Sequence, residues 1–243
     1  MGYLGQCTPC GRVVKTLLKV MLLCLLLQAF VAVHWTVSAL GADDEKVGFR
    51  WALGALVERD GESRLESVTH DASLRSGERF KMMIELQKPC FVYVIHHSAQ
   101  GQIALLFPYS MTQFETDYRV GRKYSVPEGD AWFELDEHPG KETLYLLAAP
   151  ERLKELEGLL SRYASAEASA GEELQKQILE TIRGLRKQHR ELAAPAERPV
   201  TIGGTVRELM LPEAPGRPKL DSIAVDIRSG GTLVRTFTIE HKE

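Results

Sequence analysis

The chain has 243 residues, with 30 basic against 33 acidic side chains, a net charge of −3, 44% hydrophobic and 7% aromatic content. That composition suits an ordinary globular protein and offers no basic face, which argues against nucleic acid as a partner. The first 42 residues hold three basic and no acidic side chains, so the rest carries 27 against 33, a net charge of −6. That remaining length fits one domain with an insertion, or two small ones.

Val20 to Val33 is apolar except for Gln28. Arg12, Lys15 and Lys19 precede it, and Ser38-Ala39-Leu40-Gly41-Ala42 leads into Asp43-Asp44-Glu45-Lys46. A basic stretch, an apolar run and small residues before a polar start describe a secretory signal peptide, cleaved after Gly41 or Ala42. The protein is then expected in the bacterial periplasm or outside the cell. The alternative is an uncleaved helix from Leu18 to Leu40, long enough to anchor a periplasmic domain in the inner membrane. His34 and Gln28 lie inside that helix, where polar groups are costly. Initiation at Val14 would give a more compact basic region, so residues 1–13 are expected to precede the true start. Cys7-Thr8-Pro9-Cys10 falls in that stretch and lacks a second pair or a βαβ context. Cys24 sits in the apolar run. Beyond it only Cys90 remains, so no disulfide is expected in the mature chain and its core alone must hold it.

Residues 43–149 read as a β-rich domain. Val47, Phe49, Trp51, Leu53, Ala55 and Val57 occupy every second position, which buries one face of a strand. Arg59-Asp60-Gly61-Glu62 is a turn. Phe80, Met82, Ile84 and Leu86 repeat the alternation until Lys88-Pro89. Phe91 to His96 is denser and reads as a central strand. Ser98-Ala99-Gln100-Gly101 turns it into Ile103–Phe107, a hairpin. Short strands are expected at Tyr118–Val120, Lys123–Val126, Ala131–Leu135 and Thr143–Ala149, with Met111 to Asp117 as loop.

Residues 150–199 change character. Leu153, Leu156, Leu159 and Leu160 recur at helical spacing after Pro150, which suits a first helical turn. Leu174, Ile178, Ile182 and Leu185 mark an apolar stripe on a second helix running to about Leu192. Glu172, Glu173 and Glu180 lie towards its start, and Arg186, Lys187, His189 and Arg190 towards its end, as the helix dipole favours. A stripe this narrow buries against one neighbour, either the first helix or a partner, so these four residues are the candidate interaction surface. After the linker Ala193–Pro199, residues 200–243 return to β at Val200–Ile202, Val206–Leu211, Ile223–Ile227 and Leu233–Ile239. Ser229-Gly230-Gly231 makes the last two a closing hairpin.

Candidates for chemistry each have a plainer reading. His96 and His97 are adjacent on a strand and point to opposite faces, so they do not readily share a metal ion. Cys90 could be a nucleophile with His96, His97 or His138 as base, but it opens an apolar strand, as a small buried residue would. Asp130, Glu134, Asp136 and Glu137 cluster around one strand, as on a charged exposed edge. Gly203-Gly204, Gly230-Gly231 and Gly140-Lys141 match no phosphate loop, and Ser98 and Ser110 lie outside any nucleophile elbow. No metal and no cofactor is expected.

Several segments together resemble the bacterial domain of unknown function 4384: Ser76-Gly77-Glu78-Arg79-Phe80, Phe91-Val92-Tyr93-Val94-Ile95, Gly101–Pro108 with its Leu-Leu-Phe-Pro end, and Pro139–Leu147. The resemblance runs over Ser76–Ala149 and extends to Thr236–His241. Tyr109 stands where the family often has Asn, and Pro89-Cys90 where it often has Gly. The resemblance implies an all-β module, exported or appended to other domains, without assigned catalytic residues. The expected fold is therefore mainly β: an antiparallel β-sandwich or barrel-like module with an inserted helical hairpin. The expected function is a non-enzymatic cell-envelope module that binds a protein or surface partner through a sheet edge or its helical arm, touching the membrane only if the N-terminal segment is uncleaved. Two alternatives stay open, an envelope hydrolase using Cys90 or the His96-His97 pair and a small-molecule sensor domain.

Overall fold

The computed structural model describes residues 45–59, 61–192 and 219–242. The expected signal segment, Cys7, Cys10, Cys24 and the strands expected at Val200–Ile202 and Val206–Leu211 lie outside them. No described helix is long and apolar enough to cross a membrane.

The alternating run forms β1 (Val47–Arg59), which pairs antiparallel with β4 (Arg79–Leu86) from Phe49↔Leu86 to Leu56↔Arg79. β10 (Val225–Ser229) borders the first half of β1, and β2 (Glu62–Ser67) borders the second half. Across β4 lie β7 (Lys123–Val126) and the two-residue β8 (Phe133–Glu134). The second sheet runs β3 (Asp71–Arg75), β11 (Leu233–Lys242), β9 (Gly140–Ala149), β5 (Phe91–His97) and β6 (Ile103–Phe107). Every strand pairing is antiparallel except β3 with β11, which is parallel.

The two sheets pack face to face as a sandwich. Phe49, Trp51 and Leu53 of β1 and Met82 and Ile84 of β4 meet Val92, Val94, Leu144, Leu146 and Phe237 of the other sheet in one cluster. Trp51 and Phe237 lie with ring centroids 5.6 Å apart. The strands do not close into a barrel.

The other face of the second sheet is also apolar, because β5 and β9 carry Tyr93, Ile95 and Leu147 between their inward residues. Helices α2 (Lys154–Ala164) and α3 (Ala168–Leu192) cover it with Leu156, Leu159, Leu160, Ile178 and Ile182. The outer face of the first sheet receives the 3-10 turn Leu220–Ile223, whose Leu220 packs on Ala52 and Met83. A Cβ at Gly54 would lie 2.6 Å from a methyl of Leu220 and 2.9 Å from one of Ile223, so a larger residue there would force these side chains to shift.

Several expectations need correction. Tyr118–Val120 is not a strand, and Gln113–Thr116 in the expected loop forms the short helix α1. β2 and β3 fall where no strand was expected. The last two strands do not form a hairpin: β10 belongs to the first sheet and β11 to the second, so Ser229-Gly230-Gly231 carries the chain between sheets.

Candidate functional site

Cys90 is 2% exposed at the start of β5, and its Sγ lies 3.9 Å from the carbonyl of Gly48. Burial pushes its thiol pKa up, more than the hydrogen bond to Gly48 lowers it. A raised pKa suppresses the thiolate that nucleophilic chemistry needs. His96 and His97 point to opposite faces, as strand geometry requires. His96 Nε2 lies 2.6 Å from Glu142 Oε2, while Glu142 Oε1 accepts the backbone N–H of Ala99 at 3.2 Å. That carboxylate ties the β5–β6 turn to β9. His97 faces α3, with its Nε2 3.3 Å from Gln175 Nε2. Its pKa is lowered by burial first and then by the neighbouring His96, with Arg183 adding to the shift and Glu142 opposing it. None of the described contacts joins Cys90 to an imidazole.

The fold also assembles a pair that sequence reasoning missed, because its members lie 165 positions apart. Ser76 Oγ is 3.0 Å from His241 Nε2. His241 is 4% exposed and its Nδ1 has no hydrogen-bond partner among the described residues. A serine nucleophile needs a carboxylate on that nitrogen and free N–H groups beside the hydroxyl. Here the N–H of Gly77 already donates to Leu135 and that of Glu78 to Arg75. Together with the Ser76 N–H, which donates to Lys242, the pair fastens the C-terminal strand to the β3–β4 turn. Of the acidic group, Asp136 accepts from the N–H of His138 at 2.8 Å, and this bond is the main cause of its lowered pKa. Among the described residues no three His, Cys, Asp or Glu side chains are grouped to hold a metal ion.

The candidate stripe on α3 is occupied from within. Ile178 is fully buried and Ile182 is 2% exposed. Leu174 and Leu185 are half-buried against the same cluster, which contains Tyr93, Ile95 and Leu147 of the sheet as well as the α2 leucines. The stripe meets both the first helix and the sheet, so it is not a free face. A polar network fixes this hairpin. Buried Tyr93 donates to Glu157 Oε1 at 2.6 Å and accepts the N–H of Leu153 at 3.0 Å. Arg152 clasps Glu157 at 2.6 Å and reaches Glu115 at 2.9 Å. Burial works to raise the pKa of Glu157, but hydrogen bonds from Arg152 and Tyr93 outweigh it and hold the carboxyl below its usual range. Outward, a shallow groove of about 460 Å³ between α2 and α3 is lined by Lys154, Glu155, Arg162 and Glu180.

The sheet edges differ in how far they are obstructed. An open edge presents unpaired N–H and C=O groups that pair with another strand unless something blocks them. On β6 the register shifts opposite Val94 and Ile95, and the N–H of Ile103 donates to the Tyr163 hydroxyl at 3.2 Å. On β3 the N–H of Arg75 is taken by Glu78 at 2.8 Å. On β7 the Tyr109 hydroxyl donates to the carbonyl of Ser125. β10 is different. No described hydrogen bond ties its backbone to a side chain. Like β2 it pairs with β1 alone, but unlike β2 it carries an exposed large hydrophobic side chain, Val225 at 49%, one of three among the described residues. Asp226 and Arg228 stand opposite Arg50 and Gly48 of β1 on the outer face of the sheet.

No curated protein and no solved structure matches this chain. The family whose model matches spans residues 73–152, which covers β4 to β9 and leaves β1, β10 and β11 outside it. Residues 73–152, about a third of the chain, match the model of the family described as Domain of unknown function (DUF4384).

Proposed function

We propose that this protein is an exported, non-enzymatic module of the bacterial cell envelope that binds a protein partner through the open edge of β10. The observation that carries the reading is the contrast between edges. β3, β6 and β7 each have a backbone group taken by a side chain, whereas no described hydrogen bond takes one on β10, and its Val225 is half exposed; β2, which also borders β1 alone, carries no such exposed apolar side chain. Strand addition to such an edge draws affinity from main-chain hydrogen bonds and specificity from alternate side chains. The basic, apolar and small-residue order of the first 42 residues supports export. A hydrolase reading gains no support from Cys90, whose thiol is buried with a raised pKa, or from His96 and His97, which each contact a side chain of the fold.

The test is capture from a solubilised envelope fraction with the tagged full chain and with Val225→Lys. A lysine at this half-exposed position blocks the edge without touching the core. The expected result is a protein retained by the wild type and lost with Val225→Lys at unchanged thermal stability. Equal capture by both, or enzymatic turnover that depends on Cys90 or His97, would overturn the proposal.

A further inference from the structure

The edge of β10 is self-complementary, and we propose that its occupant is the β10 of a second copy of this chain, added antiparallel about Ile227. This rests on the edge-binding reading above and names the partner. The strand reads Val225-Asp226-Ile227-Arg228-Ser229, so an acid and a base sit two positions apart on the same face of the sheet. A twofold axis through Ile227 places Asp226 of each copy opposite Arg228 of the other, Val225 opposite Ser229, and Ile227 opposite itself. Centring the pairing on residue 226 or 228 instead sets like charges face to face, which destabilises a cross-strand pair. Ile227 is therefore the register that the charges select. Pairing about a residue also keeps the inward and outward faces of the two strands in phase, so the two first sheets join as one continuous sheet.

Both charges remain available for such a contact. Arg228 is 55% exposed in its side chain and lies 3.6 Å from Glu45, an exposed pair that is easily exchanged. Asp226 accepts from Gln87 at 2.7 Å through one carboxylate oxygen, leaving the other free to accept. Such an interface is isologous: the same patch serves both copies, and it closes at two.

The experiment uses two full-length variants, Arg228→Glu and Asp226→Lys, each measured alone and mixed by sedimentation. In a dimer of the first, Asp226 of each copy faces the glutamate introduced in the other. In a dimer of the second, Arg228 of each copy faces the introduced lysine. Each variant alone is expected to raise the dimer dissociation constant about tenfold or more over wild type. Mixed, the acidic and basic copies pair Asp with Arg and Glu with Lys, and the mass of a dimer returns. Restoration on mixing also shows that both variants fold. A wild type that stays monomeric, variants that dimerise as wild type does, or a mixture that stays monomeric would each overturn the proposal. A monomeric wild type whose envelope partner is still lost with Val225→Lys would end the second-copy reading and leave edge binding standing.

Discussion

Removing Pro150–Pro199 and joining the ends with a short flexible linker asks whether the helical hairpin is a detachable arm or part of the core. In the structure it covers the outer face of the second sheet. Tyr93, Ile95 and Leu147 are fully buried there, and Ile103 and Val234 are each 7% exposed. Returning such a side chain to water costs about 1.5–3 kcal/mol, so these residues together amount to roughly 8–15 kcal/mol as an upper bound. A domain of this kind has a total stability of about 5–15 kcal/mol, so the loss is of the same size as everything available. The Tyr93 hydroxyl also loses Glu157 and Leu153, its two partners. The expected outcome is a protein that is insoluble, or soluble without a cooperative thermal transition when followed by circular dichroism. Ile178→Ala probes the same contact more gently and should cost about 2–5 kcal/mol in urea unfolding, because Ile178 is fully buried. A deletion variant that melts cooperatively near the wild-type temperature would refute the reasoning and restore the arm.

Tyr93→Phe leaves the N–H of Leu153 without its partner and takes from Glu157 Oε1 one of its two donors, Arg152 Nε remaining, and should lower stability by about 1–3 kcal/mol in urea titration. His97 has a folded-state pKa below its unfolded value, so the unfolded chain takes up its proton first as pH falls. Its contribution is intact above about pH 6.5, the unfolded value, and is lost as pH drops from there towards the folded pKa. His97→Gln should flatten that part of the melting temperature against pH profile, and an unchanged profile would show that His97 is not responsible. Residues 73–152 expressed alone should fail to fold by circular dichroism and amide exchange. β1 lies between β10 and β4, and β11 between β3 and β9, so excising the matched segment removes an inner strand from each sheet.

The strands legible in the sequence are those with one buried and one wet face, such as β1 and β4, or with two buried faces, such as the dense run of β5. β2 and β3 were not legible. Glu-Ser-Arg-Leu-Glu-Ser and Asp-Ala-Ser-Leu-Arg carry little apolar alternation, because each lies at a sheet edge with most of its side chains in water. Tyr118–Val120 reads as a strand by residue type, but Tyr118 stacks on Phe91 with centroids 6.1 Å apart and its hydroxyl accepts the N–H of Val92. The turn at Ser229-Gly230-Gly231 announces a reversal, and nothing local distinguishes a reversal within a sheet from one between sheets. The same limit applies to the sites. The opposite faces of His96 and His97 follow from strand geometry, whereas the Ser76–His241 contact and the sheet beneath the α3 stripe depend on distant pairing. The edge character of β10 became visible only once β11 had gone to the other sheet.

Replacing Val225 with a photo-crosslinking amino acid in cells tests edge binding most directly, with Val120 as the comparison site, since the two are similarly exposed at 49% and 46%. Illumination is predicted to yield a discrete protein adduct from position 225 in the envelope fraction and none of that mass from position 120. No adduct at 225, or the same adduct from both positions, would contradict the account.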